Sequence, residues 1–326
     1  MTTLRLSSID DYLGPAAQRF FGAGYRRSEI DLDDVRTGTD HAAGTLSVRY
    51  PQDWSRKKTG VDLRPHLSTI DGLLVAAQLA DALLTQKFGF TGADRAGIDL
   101  TKVVIQAGTE PDEVLAAVPV SAGLRRTTED GTGRATSMVD VTVGRMRLRC
   151  HTSHRIARPR ADAGTRPVPE VLGDPRTRFW GEGYRASRQS IDDVVADLSS
   201  LTATARLTTD ELPGTLVHGL GGRPDRVTLV DAFVSSLQVF QVMLYELDGL
   251  SRAESNTLWM QQTTLTRVPG DRASHDVRVG ITSSELLELG DTTWRNLTFE
   301  STAGPVRQRS VFAHNLPAGA PVLAGR

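Results

Sequence analysis

The pattern of apolar and polar positions is dominated by two long segments, "STIDGLLVAAQLADALLTQKF" from Ser68 and "TLVDAFVSSLQVFQVMLYEL" from Thr228. In the first, Ile70, Leu73, Leu74, Val75, Ala77, Leu79, Leu83 and Leu84 are too many for one amphipathic stripe, so the spacing predicts a helix covered on most sides. The second is equally apolar. Elsewhere the pattern changes to alternation with β-branched residues and glycine-containing turns. "GTLSVRY" ending at Tyr50, "TKVVIQAGT" from Thr101 and "VDVTVGRMRLRCHTS" from Val139 read as strands. So do "LTATARL", "VRVGITSS" and "LTFESTAGPVRQRSVFAH" further on.

The elements therefore come twice in the same order, and short motifs repeat with them. "RFFGAGYRR" at Arg19 to Arg27 returns as "RFWGEGYRA" from Arg178, "YLG" at Tyr12 as "VLG" at Val171, and "LDDV" at Leu32 as "IDDV" at Ile191, each 159 residues on. The register then slips by one. "HLSTIDGLLVAAQLAD" from His66 pairs with "RVTLVDAFVSSLQVFQ" from Arg226, and "GRMRLRCHTSH" from Gly144 with "GPVRQRSVFAH" from Gly304, both at 160. Ordered matches with a single slip are the mark of an internal duplication. The chain is read as two units, residues 1–160 and 161–326, joined by the Pro- and Gly-rich "RPRADAGTRPVPE" at Arg158 to Glu170. One enclosed helix followed by antiparallel strands, repeated, predicts an α+β double hot dog fold. Each long helix would be wrapped by a sheet, the two sheets joining edge to edge.

Composition narrows the function. The 326 residues hold 38 Lys and Arg against 39 Asp and Glu, with no basic block, so nothing draws the chain electrostatically to nucleic acid or to an anionic membrane. Cys150 is the only cysteine, which excludes an intrachain disulfide and a cysteine-based zinc site and suits a reducing compartment. With no apolar stretch of membrane-spanning length and no leader-like start, a cytoplasmic protein is expected. Dinucleotide fingerprints, phosphate loops and a Gly-x-Ser-x-Gly elbow are absent, so neither a cofactor nor a metal is expected.

Polar residues are scarce on the two helices, and each asks for an explanation. Asp71 and Gln78, like Asp231 and Gln238, are seven apart and share one side of their helix. Ser68 with Asp71, and Thr228 with Asp231, match a capping box, which accounts for the acids without chemistry. Capping does not ask for the glutamines. Two residues before the cap the copies differ: His66 can act as a base near neutral pH, whereas Arg226 stays charged. The helix N-terminus offers unpaired N–H groups for a developing oxyanion, and Gly72 would let a carbonyl approach. The bland reading of His66 is a surface residue ahead of a helix. Tyr25 and Tyr184 read mainly as packing for the Gly-x-Gly-Tyr turn, with a place near a ligand as the alternative. "RKK" at Arg56 to Lys58 is unique to the first copy and could meet an anionic carrier, or be a solvated loop. Arg147, Arg149 and His154 recur as Arg307, Arg309 and His314 and are assigned to shared architecture.

"SSIDDYLG", "RFFGAGY", "YPQDWS", "PHLSTIDGLLVAAQLAD" and "RFWGEGY" together resemble the avirulence D family of plant-pathogenic pseudomonads and actinomycetes, essentially end to end. The resemblance implies a role in making syringolide-type signals, acyl glycosides built from a β-ketoacyl chain and a pentulose such as xylulose. Their architecture is similar to that of the A-factor synthesis proteins, which transfer a β-ketoacyl group to a triose phosphate hydroxyl. An acyltransferase is therefore expected, its donor a thioester on acyl carrier protein or coenzyme A and its acceptor a small sugar. On the general hot dog plan a seam site takes its histidine from one unit and its acid from the other. His66 would then meet Asp231, Arg226 would face Asp71 in a silenced second site, and the acyl chain would run beside Gln78 or Gln238. The alternatives are a 3-hydroxyacyl dehydratase or thioesterase of the same fold, and a noncatalytic acyl or butenolide binder.

Overall fold

In the computed structural model, which describes residues 3–54, 64–161, 163–210, 214, 216, 220, 227–256, 258–268 and 276–318, both apolar segments are 20-residue helices. The first half contains β1 (Thr3–Ser8), α1 (Asp10–Leu13), β2 (Glu29–Asp31), β3 (Val35–Thr37), β4 (His41–Arg49), α2 (Thr69–Phe88), α3 (Gly92–Ala96), β5 (Asp99–Gln106), β6 (Val118–Glu129), β7 (Arg134–Val143) and β8 (Met146–Arg155). The second contains β9 (Arg166–Pro167), α4 (Val168–Leu172), β10 (Gln189–Asp197), β11 (Thr202–Thr209), α5 (Leu229–Asp248), β12 (Leu258–Arg267), β13 (Asp276–Leu289), β14 (Thr292–Ala303) and β15 (Val306–Asn315). No helix among the described residues is long and apolar enough to cross a membrane.

Local chemistry sets the ends of both long helices. Ser68 and Thr228 each accept from the N–H of the acid three residues on, and that acid accepts from the cap's own N–H, so both capping boxes close. At the other end Gly89 (φ 63°) and Gly249 (φ 62°) adopt the left-handed conformation that glycine enters without penalty.

The strands form one antiparallel sheet. Within the first half the order is β4-β6-β7-β8-β5 and within the second β11-β13-β14-β15-β12, the same path, with the long helix inserted before the last strand of each. Inward positions alternate with outward ones, as in β8 and β15, and the inward face packs on the helix. Phe240 of α5, for example, stacks on Phe299 of β14 with ring centroids 4.4 Å apart. The two sheets join where β5 pairs with β12, with Val104 opposite Thr264, Gln106 opposite Gln262 and Lys102 opposite Thr266. Val104 and Thr264 are 160 apart, the spacing of the repeat (264 − 104), so this seam is self-complementary about its centre, as a two-fold contact between like units requires.

The first segment of each half changes sides. β1 pairs with β10, and the Tyr12 hydroxyl behind it donates to Glu246 of α5 at 2.7 Å. Reciprocally, β9 pairs with β3 and α4 packs on α2. The leading segments of residues 1–160 and 161–326 thus each lie against the other half. The physical reason is the helices themselves: they are apolar all round, one sheet covers only one side, and the remaining side is closed by residues from the other half. The two aromatic turns follow their segments and meet, Tyr25 stacking on Tyr184 at 6.3 Å and 19°. Their glycines are steric: a Cβ on Gly22 would lie 2.5 Å from the Ala16 carbonyl oxygen, and on Gly181 2.4 Å from that of Pro175.

A buried ion pair stitches these layers. Asp81 of α2 receives Arg95 of α3 at 2.8 Å and the Leu220 N–H at 3.1 Å, while Arg95 also donates to the Leu172 carbonyl of α4. Replacing Asp81 by Asn leaves a buried guanidinium uncompensated and is expected to cost about 3–5 kcal/mol of folding stability in urea denaturation, whereas an Asp81→Leu, Arg95→Leu double variant is expected to cost far less.

Candidate functional site

A cavity of about 220 Å³ opens along the seam between the halves. The first half contributes the strap from His66 to Thr69 that leads into α2, and its aromatic turn with Arg19, Phe20 and Phe21. The second half contributes Phe233, Leu237, Gln238 and Gln241, all from one side of α5, with Met260 and Phe312 behind them. The walls carry apolar side chains together with polar ones from both halves, among them Arg19 and Asp112 from the first and Gln241 and Arg252 from the second.

His66 is half-buried on this wall. Its ring meets Trp54 edge-on at 5.8 Å, its Nδ1 lies 3.3 Å from the Arg64 carbonyl, and the strap is pinned by the Leu67 N–H donating to the Asp112 carbonyl at 2.9 Å. Directly behind it Asp71 is fully buried. One carboxylate oxygen, Oδ2, accepts from the Tyr50 hydroxyl, the Ser68 hydroxyl and the Ser68 N–H; the other, Oδ1, is buried without a partner. Burial pushes the Asp71 carboxyl above its ordinary value, against the opposing pull of these hydrogen bonds and of His66, whose charge acts on it.

The expected pairing of His66 with Asp231 is not made. Asp231 accepts from the Ser187 hydroxyl at 2.7 Å, the Gln189 amide and the Thr228 N–H, so its oxygens are occupied in holding the second aromatic turn's exit strand. The buried acid whose carboxyl feels the charge of His66 is Asp71, from the same half. Gly72 does not line this cavity. Its missing Cβ makes room for Met146, whose Cε would lie 2.8 Å away.

The glutamines have structural partners across the halves. Gln78 accepts from Arg178 of the second aromatic turn at 3.1 Å and lies off the cavity wall. Gln238 donates to the Phe21 carbonyl of the first turn at 3.1 Å and does face the cavity. Tyr25 and Tyr184 are buried against each other, away from this wall, because the aromatic turns meet at the pseudo-two-fold contact. Lys58 and Arg226 lie outside the described residues.

Three features escaped the sequence. Tyr50 ends a strand and carries no signal linking it to Asp71. Arg19, on the cavity wall, looked like part of a packing motif. The third is a buried chain in the second half: Ser255 Oγ lies 3.0 Å from His314 Nε2, His314 Nδ1 lies 2.7 Å from Asp248, and Arg295 donates to the same carboxylate at 2.6 Å. In the first half His154 instead meets the Ser137 hydroxyl at 2.8 Å and packs on Phe88, the residue equivalent to Asp248 (248 − 160). Both histidines close the far end of a long helix, as expected of residues kept in both copies. Among the described residues no cluster of three or more His, Cys, Asp or Glu could hold a metal.

The raised carboxyl of Asp71 sets a sign for pH dependence. Between its ordinary value, 3.8, and its higher value in the fold, the native state binds more protons than the unfolded one, so stability falls as pH rises through that window and is level above it. Denaturation midpoints measured from mildly acidic to neutral pH are expected to decline in the wild type and to lose that slope in Asp71→Asn.

Distant similarity to solved structures covers most of the chain. The TesB protein of Mycobacterium avium subs paratuberculosis is 11% identical over 88% of this chain and 97% of its own, with a TM-score of 0.39. The dehydratase domain of PpsC from Mycobacterium tuberculosis, solved with C12:1-CoA, is 12% identical over 88% and 100%, with a TM-score of 0.35. An acyl-ACP thioesterase from Bacteroides thetaiotaomicron is 9% identical over 89% and 99%, with a TM-score of 0.36. Likeness at this level assigns no residue of the site. No curated protein matches the chain. The family model described as Pseudomonas avirulence D protein matches residues 4–317, nearly the full length, and the chain belongs to that family.

Proposed function

We propose that this protein is a double hot dog acyltransferase that moves a β-ketoacyl group from a thioester to a hydroxyl of a small sugar. The observation that carries the reading is the composition of the seam cavity: a half-buried histidine and a helix N-terminus from one half face an apolar helix side from the other. An acyl chain fits against Phe233, Leu237 and Phe312, where its burial offsets the loss of hydration. The thioester carbonyl lies toward Thr69, whose N–H is one of the first-turn donors that have no acceptor within the helix. The developing oxyanion is stabilised there by that donor and by the positive end of α2.

His66 takes the proton from the attacking hydroxyl, the new C–O bond forms as the C–S bond breaks, and the imidazolium returns its proton to the departing thiolate. Asp71 holds the Ser68 cap and Tyr50 behind the strap that carries His66. Asp231 has no part in this step and holds the second aromatic turn's exit strand.

Incubation of the purified protein with a β-ketoacyl thioester and xylulose, followed by mass spectrometry, is expected to yield the sugar ester. His66→Gln is expected to slow its formation on the order of a hundredfold or more, and Asp231→Asn to lower stability with the rate kept within a few-fold. Free β-keto acid formed equally with and without sugar would mean a thioesterase. Hydration or dehydration of the chain would mean a dehydratase, and binding without turnover a carrier or sensor; each result overturns the proposal.

A further inference from the structure

The two halves also differ on the outside of the molecule, at one projection and one groove. Along the hairpin of β13 and β14 the ladder stays paired out to Leu289 opposite Thr292, yet every residue from Glu285 to Thr292 is exposed. Successive side chains of a strand point to opposite faces, so neither face of this tip is covered. Three of its residues are leucines, Leu286, Leu287 and Leu289, which are 40, 42 and 59% exposed. The equivalent tip of β6 and β7, 160 residues earlier, carries Arg126, Thr127 and Glu129 at those places. Glu285, Glu288 and Asp291 stand among the leucines with no Lys or Arg between Glu285 and Thr292, so the tip is acidic as well as apolar.

The first half holds the complement. A groove of about 380 Å³ beside β6 has Phe88, Leu124, Ala135, Ile156, Ala157 and Pro159 in its walls. Ile156 is 41% exposed there, whereas its equivalent in the second half, Leu316 (156 + 160), is 5% exposed and gives its N–H to the Thr293 carbonyl of the hairpin. Only the first half therefore keeps a large apolar side chain open at that place. Lys87, Arg125 and Arg126 line the groove, and Arg158 and Arg160 are exposed on the segment that supplies Ile156. Asp40 holds Lys87 at 2.7 Å and Asp140 holds Arg125 at 2.9 Å, which leaves Arg126, Arg158 and Arg160 against the one further acid of the lining, Glu129. The groove is apolar with a basic rim.

Of the five large apolar side chains exposed among the described residues, three are on this tip and one is on this groove. We propose that the two surfaces fit together between molecules: the β13–β14 tip of one copy seats its leucines in the groove beside β6 of a second copy, with Glu285, Glu288 and Asp291 against Arg126, Arg158 and Arg160. Burial of the leucines supplies the attraction, and the opposite charges select the partner surface. The tip is already a paired hairpin, so little chain order is lost on docking. Made twice about a two-fold axis, tip to groove and groove to tip, the contact closes a dimer. The groove shares no residue with the seam cavity, and the inference stands apart from the acyl-transfer reading.

Sedimentation equilibrium of the full chain is expected to show reversible self-association with a midpoint on the order of 1–100 μM, as a small transient contact gives. Leu287→Ser combined with Leu289→Ser, both at exposed positions, is expected to weaken it at least about tenfold. Reversing the tip (Glu285→Lys, Glu288→Lys) or the groove (Arg126→Glu, Arg158→Glu, Arg160→Glu) is expected to leave each protein monomeric by itself, because like charges then meet. An equimolar mixture of these two charge-reversed proteins is expected to associate again, since each tip then finds a groove of opposite sign. A wild type that stays monomeric up to about 1 mM, association unchanged in the leucine variant with native circular dichroism, or charge-reversed proteins that remain monomeric when mixed would overturn the proposal.

Discussion

The structure depends on one constraint: α2 and α5 have no face fit for water. Nearly every residue of each is buried, including Asp71, Gln78 and Asp81 on one and Asp231, Gln238 and Asp248 on the other. A sheet can cover one side of a helix. The opposite side must be covered by something else, and here each half supplies it to the other through its leading strand, short helix and aromatic turn. Exchange of this kind makes the halves inseparable, since removing either one strips the cover from its partner's helix.

Pseudo-symmetry also separates architecture from chemistry. Where the copies agree, the residues build the frame: the capping boxes, the glycines of the aromatic turns, the tyrosine stack and the histidines that close the helices. Where they disagree, polar groups are left over, and some of them lie beside the cavity. Ser187 donates to Asp231, but the equivalent Ser28 hydroxyl and Asp71 Oδ1 both lack partners, and Tyr50 takes the other oxygen instead. The contact of Arg178 with Gln78 likewise has no counterpart between Arg19 and Gln238.

The proposed chemistry rests on one part of that frame. A histidine with an acid behind it, both from one half, is positioned by contacts within its own strap: Trp54 against the ring, Asp112 against Leu67, Tyr50 and Ser68 around the carboxylate. The other half supplies Phe233, Leu237, Met260 and Phe312 to the same cavity.

Much of this was legible in the chain. Periodicity gave the two enclosed helices and the strands, because burial on all sides leaves an unbroken apolar run and burial on one side leaves alternation. Spacing gave the duplication and the capping boxes, which are set by residues three apart and need no tertiary knowledge. The difference between His66 and Arg226 was visible for the same reason. What the sequence could not decide is which residues meet across distances of a hundred or more positions. That Asp231 belongs to Ser187 and Gln189, that Gln78 answers Arg178, that Gly72 yields to Met146 and that the leading segments trade places all follow from packing two copies around a common seam. Contacts of that kind depend on the direction of each side chain in the assembled core, and no local pattern encodes it.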